Sequence, residues 1–269
     1  MVPVLSIVFM VISGMISFGL PIALCIYLYK SKKADLLPFF VGCAVMLLFA
    51  FVLESAAHRM ILGSPAGEVI KGSSLLYPLY GGLMAGLFEE TGRFAAFKTV
   101  LRRNRERNVN ALMYGAGHGG FEAIVILGIT SINNIIYSVL INSGNTAALT
   151  GSLSGDTLAQ TETAIQTLIS TPSWMFLLGA AERIFAIILH LSFSVLVWAA
   201  ANRKGMAKMY PIAVLFHMIV DAVTVFLSLK SVSVILIEVI VGILTLAAAL
   251  YVRTVCERCQ RDGSFDTCE

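Results

Sequence analysis

Charge is what this chain has least of. Only 13% of its 269 residues are Asp, Glu, Lys or Arg, and 58% are hydrophobic, where soluble domains run near ~25% charged and ~45–50% apolar. So little charge cannot clothe a water-soluble globule, and so apolar a chain cannot be a disordered one. Five cysteines in 269 residues do not make a small disulfide-stapled secreted domain. Short alternating strands are missing as well, which excludes a membrane β-barrel. What is present instead is a set of long continuous apolar runs, with mean hydropathy +0.85. A transmembrane helix needs ~20 mainly apolar residues. The fold class expected is therefore all-α, a polytopic transmembrane helical bundle.

Seven spans are expected at about 3–29, 36–57, 75–101, 109–136, 174–201, 209–229 and 232–252. The first lacks a basic leader and runs straight into Lys30, Lys32 and Lys33, so it reads as a retained span rather than a cleaved signal. Of the 19 Lys and Arg, 14 fall in alternate loops and the tail, 3 in the opposite loops, and Arg93 and Arg183 within spans. This bias places the N-terminus outside and the C-terminus in the cytoplasm. The long connection 137–173 has no Lys or Arg. Its segment 156–169, with Leu158, Ile165, Leu168 and Ile169 as the apolar set, suits a helix resting on the outer leaflet or a lid over a cavity. In the tail, Cys256, Cys259 and Cys268 have no histidine beside them, too few ligands for a structural zinc site. No internal repeat, soluble domain or nucleic-acid signal is present.

Eleven ionisable residues fall inside the expected spans: Glu89, Glu90, Arg93, His118, Glu122, Glu182, Arg183, His190, His217, Asp221 and Glu238. An acid or arginine at mid-bilayer costs ~2.5–3.5 kcal/mol on insertion scales, so such groups face the protein interior and serve a purpose. Counted from the cytoplasmic ends of four different helices, Glu89, His118, His190 and His217 share a depth of ~12–18 Å. Glu89 and Arg93 are placed for an i,i+4 pair. Tyr114, His118 and Glu122 form a row, as do His190 with Ser194 and His217 with Asp221. His58 lies near Glu54 at a span edge. Glu182 and Arg183 read as partners of charges on neighbouring helices.

A carboxylate beside imidazoles in a dry pocket suits water activation, with a further His or Asp to receive the oxyanion of a hydrolysed peptide bond. Three imidazoles and a carboxylate could also hold zinc through Glu89, His118, His190 and His217. The chain has no HExxH, however, and no two histidines one helical turn apart. A non-catalytic scaffold and a proton-coupled transporter are the alternatives, the latter without the duplicated halves usual in transporters.

The segments Glu89-Glu90-Thr91-Gly92-Arg93, Tyr114 to His118 within Gly-His-Gly-Gly-Phe-Glu, His190 with Ser194, and His217 with Asp221 resemble the YhfC family of intramembrane proteases. That family is placed with the CAAX-processing and bacteriocin-processing membrane proteases, a superfamily that also holds the scaffold subunit of gamma-secretase. The resemblance implies one membrane domain over 1–269, with a protease-like core at about 75–225 and a short cytoplasmic tail at 253–269. It implies Glu89 as general base, His118 as holder of the water, and an oxyanion donor from His217 with Asp221 or His190 with Ser194. Arg93 then fixes the acidic pair, with Glu90 as its supporting partner, and Glu122, from its place in the row with Tyr114 and His118, is a further supporting residue. Two residues rather than three separate Glu-Glu from Arg, and Asp or Ser stands where the CAAX enzymes carry Asn. The implied mechanism requires no cofactor, although such proteins are often called metalloproteases. The implied substrate is a membrane-embedded or membrane-proximal peptide, in a bacterial-type plasma membrane.

Overall fold

Each expected span becomes helix in the computed structural model, which describes residues 1–261, with side chains through Glu257. Helix α1 covers Val4–Lys30. Leu37–Val45 (α2) passes through a π-helical stretch, Met46–Glu54, into Ser55–Leu62 (α3). A short α4, Pro65–Gly72, follows, its first turn closed by the Ser64 hydroxyl accepting from Gly67 N–H and by Pro65, whose missing N–H costs nothing there. Leu76–Lys98 is α5. Val109–Ala123 (α6) continues through a π turn, Ile124–Gly128, into Ile129–Asn142 (α7). The short α8, Ala147–Thr150, precedes α9, Gly155–Ser170. Three long helices complete the chain: α10 (Met175–Asn202), α11 (Met209–Leu229) and α12 (Val234–Arg261). No strand occurs among the described residues. The side chains of Arg258, Cys259 and Arg261, and Cys268 with the end of the tail, lie outside the described residues.

Six helices are long and apolar enough to cross a membrane: α1, α2 through α3, α6 through α7, α10, α11, and α12 as far as Glu257. The remaining expected span is α5, 23 residues long, in which Glu89, Glu90, Arg93 and Lys98 interrupt the apolar run. The fourth span departs from expectation by continuing past 136 to Asn142. Its end is tied down, because the Asn142 amide accepts from Val2 N–H at 2.8 Å and donates to Val2 C=O at 2.9 Å.

The chain divides into two compact units, Met1–Leu20 with Ala123–Arg183, and Pro21–Glu122 with the chain from Ile184 onward. In the first unit, Ile165 and Leu168 of α9 are buried with Val2, Met10 and Ile141, and Leu149 and Ile169 pack around them. Ile165, Leu168 and Ile169 of the expected apolar set are thus packed within their own unit. Glu182 and Arg183 pair with each other.

The second unit contains Glu89 through Asp221 of the candidate set. Below that set its core is an aromatic knot, with Phe97 edge-on to Tyr114 at 4.7 Å and to Trp198 at 4.9 Å, geometry worth ~0.5–1.5 kcal/mol per pair beyond burial. A polar bolt joins the loop after α1 to the segment before α6. Asp35 N–H donates to the Asn110 side chain at 2.8 Å, while its carboxylate accepts from Asn104 at 2.8 Å, Asn110 at 2.9 Å and Arg107 at 3.2 Å. The Asn104 hydrogen bond, with help from Asn110 and the Arg107 charge, holds the Asp35 carboxyl below its ordinary value. A carboxyl depressed on folding stabilises the protein above its unfolded pKa, and that contribution is lost as pH falls through the folded value. Thermal unfolding in detergent across mildly to strongly acidic pH should therefore separate the native chain from Asp35→Asn, the gap narrowing as pH falls. A gap independent of pH would sink this assignment.

Candidate active site

Four helices of the second unit deliver the polar side chains: α5 gives Glu89, Glu90 and Arg93, α6 gives His118 and Glu122, α10 gives His190, and α11 gives His217 and Asp221. Glycine makes the convergence possible at two close approaches. A Cβ on Gly86 of α5 would lie 2.8 Å from the Val214 carbonyl oxygen of α11, and one on Gly119 of α6 would lie 2.9 Å from the His190 ring. Larger residues there would push apart the helices that carry Glu89 and His190.

The three imidazoles stand in a row, with centroids 5.0 Å apart between His118 and His190 and 5.8 Å between His190 and His217. Glu89 faces all three. Its Oε2 is 2.9 Å from His118 Nε2 and 3.8 Å from His190 Nδ1, while its Oε1 is 3.9 Å from His217 Nε2. Glu89, Glu90, Arg93, His118, His190 and His217 are all buried, as the cost of lipid exposure requires.

The second nitrogen of each ring also has a partner. His190 Nε2 is 2.7 Å from Glu122, His217 Nδ1 is 2.8 Å from Glu90 Oε1, and His118 Nδ1 is 3.4 Å from the Tyr114 hydroxyl. A guanidinium can only donate, so Arg93 Nη2 at 3.1 Å from His190 Nδ1 sets that ring's tautomer. Nδ1 carries the lone pair, and Nε2–H donates to Glu122.

The structure departs from the sequence expectations in three respects. Arg93 does not pair with Glu89. Its Nη1 donates to both oxygens of Glu90, at 2.7 and 2.6 Å, and Glu89 is left to the histidines. Ser194 does not point a hydroxyl into the site, because it donates to the His190 carbonyl oxygen one turn back at 2.6 Å. With His190 Nε2–H already given to Glu122, the His190–Ser194 pair has no free donor for an oxyanion. The metal-capable set is also smaller than the four residues expected: Glu89, His118 and His190 bring their ligand atoms within 4.8 Å of one another, and His217 stands outside it. Asp221 does lie beside His217, its Oδ2 3.4 Å from Nε2. Phe193, absent from the candidates, stacks on the His217 ring at 5.2 Å. An apolar residue between two serines carries no sequence signal for that role.

A carboxylate with two imidazoles is a common catalytic zinc set. The donor set fits such an ion in kind: His190 Nδ1 carries a lone pair, which accepts from Arg93 3.1 Å away, and its other nitrogen is held by a carboxylate, the arrangement that orients metal-binding histidines. An ion there would replace Arg93 Nη2 as the partner of Nδ1, leaving the guanidinium to Glu90.

Over residues 16–242 the chain matches the family described as YhfC intramembrane metalloprotease. An uncharacterized membrane protein YhfC of Bacillus subtilis (strain 168) is 37% identical over 211 residues, which is 77% of this chain and 80% of that protein. No solved structure matches the chain.

Proposed function

The chain belongs to the YhfC intramembrane metalloprotease family, and from that premise we propose that this multi-pass membrane protein is an endopeptidase cutting a peptide bond in or near the cytoplasmic half of the bilayer. The carrying observation is Glu89 held among three buried imidazoles from three other helices. In this reading α5 is a seventh span, the N-terminus is outside, and the fold is that of the CAAX-processing superfamily.

Glu89, His118 and His190 would hold a zinc-like ion, whose chemistry when bound is to acidify water and polarise a carbonyl. The residues themselves divide the remaining work. Glu89 Oε2 faces His118 and His190, so Oε1, on the His217 side, takes the proton from water as its oxygen bonds to the scissile carbon. His217, with Glu90 fixing Nδ1 and Asp221 beside Nε2, donates from Nε2 to the carbonyl oxygen as it becomes anionic. When the C–N bond breaks, the proton on Glu89 passes to the leaving amine. One water is consumed, giving one carboxylic acid and one amine. Arg93 and Glu90 touch no reacting atom: Glu90 fixes His217, and Arg93 fixes Glu90.

The test is purified protein in liposomes with a pooled set of single-span peptides, products being read by mass spectrometry and bound metal by elemental analysis. Cleavage is expected, lost after chelation and restored by zinc. Absence of any product from the metal-replete protein across the set would overturn the reading.

A further inference from the structure

A second group of ionisable side chains in the same unit lies nearer the other end of the helices and takes no part in the chemistry above. Glu54, the last residue of the π-helical stretch, is buried. It accepts from His58 Nε2 at 3.1 Å, and His58 Nδ1 is 2.9 Å from the Tyr80 hydroxyl on α5. Tyr80 Oη, Glu54 and the His58 ring thus form one hydrogen-bonded chain across two spans.

Depth connects this chain to the site. Glu54 stands eight residues before the end of α3, and Asp221 eight before the end of α11, so both lie ~12 Å below those ends. His58 and Tyr80 lie four residues in from their helix ends, at ~6 Å. The ends belong to one side of the unit, because Lys230, just after α11, donates to Ser74, just before α5, at 3.1 Å. Descending from that side, one meets His58 and Tyr80, then Glu54 and Asp221, then His217, then Glu89.

The exposure of Asp221 gives the ladder its meaning. Its side chain is 37% exposed, on a helix whose Ile219, two residues earlier, is exposed as well. Two residues apart on a helix means opposite faces. Ile219 belongs against hydrocarbon, but a carboxylate there would cost ~2.5–3.5 kcal/mol, so the exposed edge of Asp221 faces water. Glu54, at the same depth, is buried and hydrogen-bonded to His58; it ends a π-helical stretch, and such stretches recur at functional sites.

We propose that Glu54, His58, Tyr80 and Asp221 line an aqueous inlet by which water reaches the catalytic layer from the side of the α3–α4 turn. The proposal rests on the hydrolase reading, in which water is a reactant. Its test does not use activity. In the full chain with native cysteines replaced, single cysteines at Asp221, Ile219, Tyr80, Ser64 and Lys204 are reacted with a charged, membrane-impermeant thiosulfonate added to one side at a time. Ser64→Cys marks the proposed side of the membrane and Lys204→Cys the opposite side. Asp221→Cys and Tyr80→Cys should label from the Ser64 side only, Ile219→Cys should stay unlabelled, and Glu54→Leu should slow labelling at both reporters. Protection of Asp221→Cys from that side, labelling only from the Lys204 side, or equal labelling of Ile219→Cys would overturn the inlet. Should Asp221→Cys fail to fold, Tyr80→Cys with and without Glu54→Leu decides the matter, an unchanged rate overturning it. Labelling as expected without any peptide product would instead fault the hydrolase reading.

Discussion

Glu89→Gln is expected to abolish peptide hydrolysis in a protein that still folds. The amide has the shape of the carboxylate and can keep a hydrogen bond to His118 Nε2, 2.9 Å away, so packing among the three imidazoles is disturbed little. It cannot accept the proton of the attacking water. General bases contribute ~10²–10⁴-fold, and here the same residue belongs to the metal-capable set with His118 and His190, so the loss should lie at or beyond the upper end of that range. Bound zinc should fall in parallel, because an amide is a poorer ligand than a carboxylate. The measurements are initial cleavage rate, zinc content and unfolding temperature on one preparation. A variant that retains native cleavage would remove Glu89 as the base and with it the mechanism.

The largest effect on stability is expected from Arg93→Met. Arg93 and Glu90 are completely buried and joined through Nη1 to both carboxylate oxygens. Removing one partner strands a buried charge, at a cost of ~3–5 kcal/mol. The discriminating variant is Arg93→Met with Glu90→Gln, which deletes both charges. If the stranded carboxylate is the cause, the double variant should recover much of the stability lost by the single one. Activity should stay low in the double variant, because His217 Nδ1, 2.8 Å from Glu90, keeps only an uncharged amide partner that Arg93 no longer positions. A double variant as unstable as the single would show that Arg93 acts through packing.

The two variants touch adjacent acids with different fates, a difference local spacing cannot express. On α5, Arg93 is one turn from both, at i+3 from Glu90 and i+4 from Glu89, and either pairing is sterically open. Glu89 goes to His118 because α6 presents that ring to it, and Arg93 takes Glu90 because α11 brings His217 to Glu90's other side. Ser194 is a similar case. Its place one turn after His190 puts it on the right face, but Gly115 of α6 comes so close that an added Cβ would lie 2.9 Å from the Ser194 hydroxyl, which folds back on its own helix.

That the chain forms long apolar helices, and how far Glu89, His118, His190 and His217 stand from the ends of theirs, was legible in the amino-acid order, because apolar run length and residue rise are local quantities. The π-helical stretches Met46–Glu54 and Ile124–Gly128 were not. Nor was it legible that a metal-capable set would comprise Glu89, His118 and His190 without His217, since each ligand rides on a separate helix. Depth along a helix is written in residue number. Rotation about its axis and distance to the next helix are set by packing at positions such as Gly86 and Gly119, and only the folded bundle specifies those.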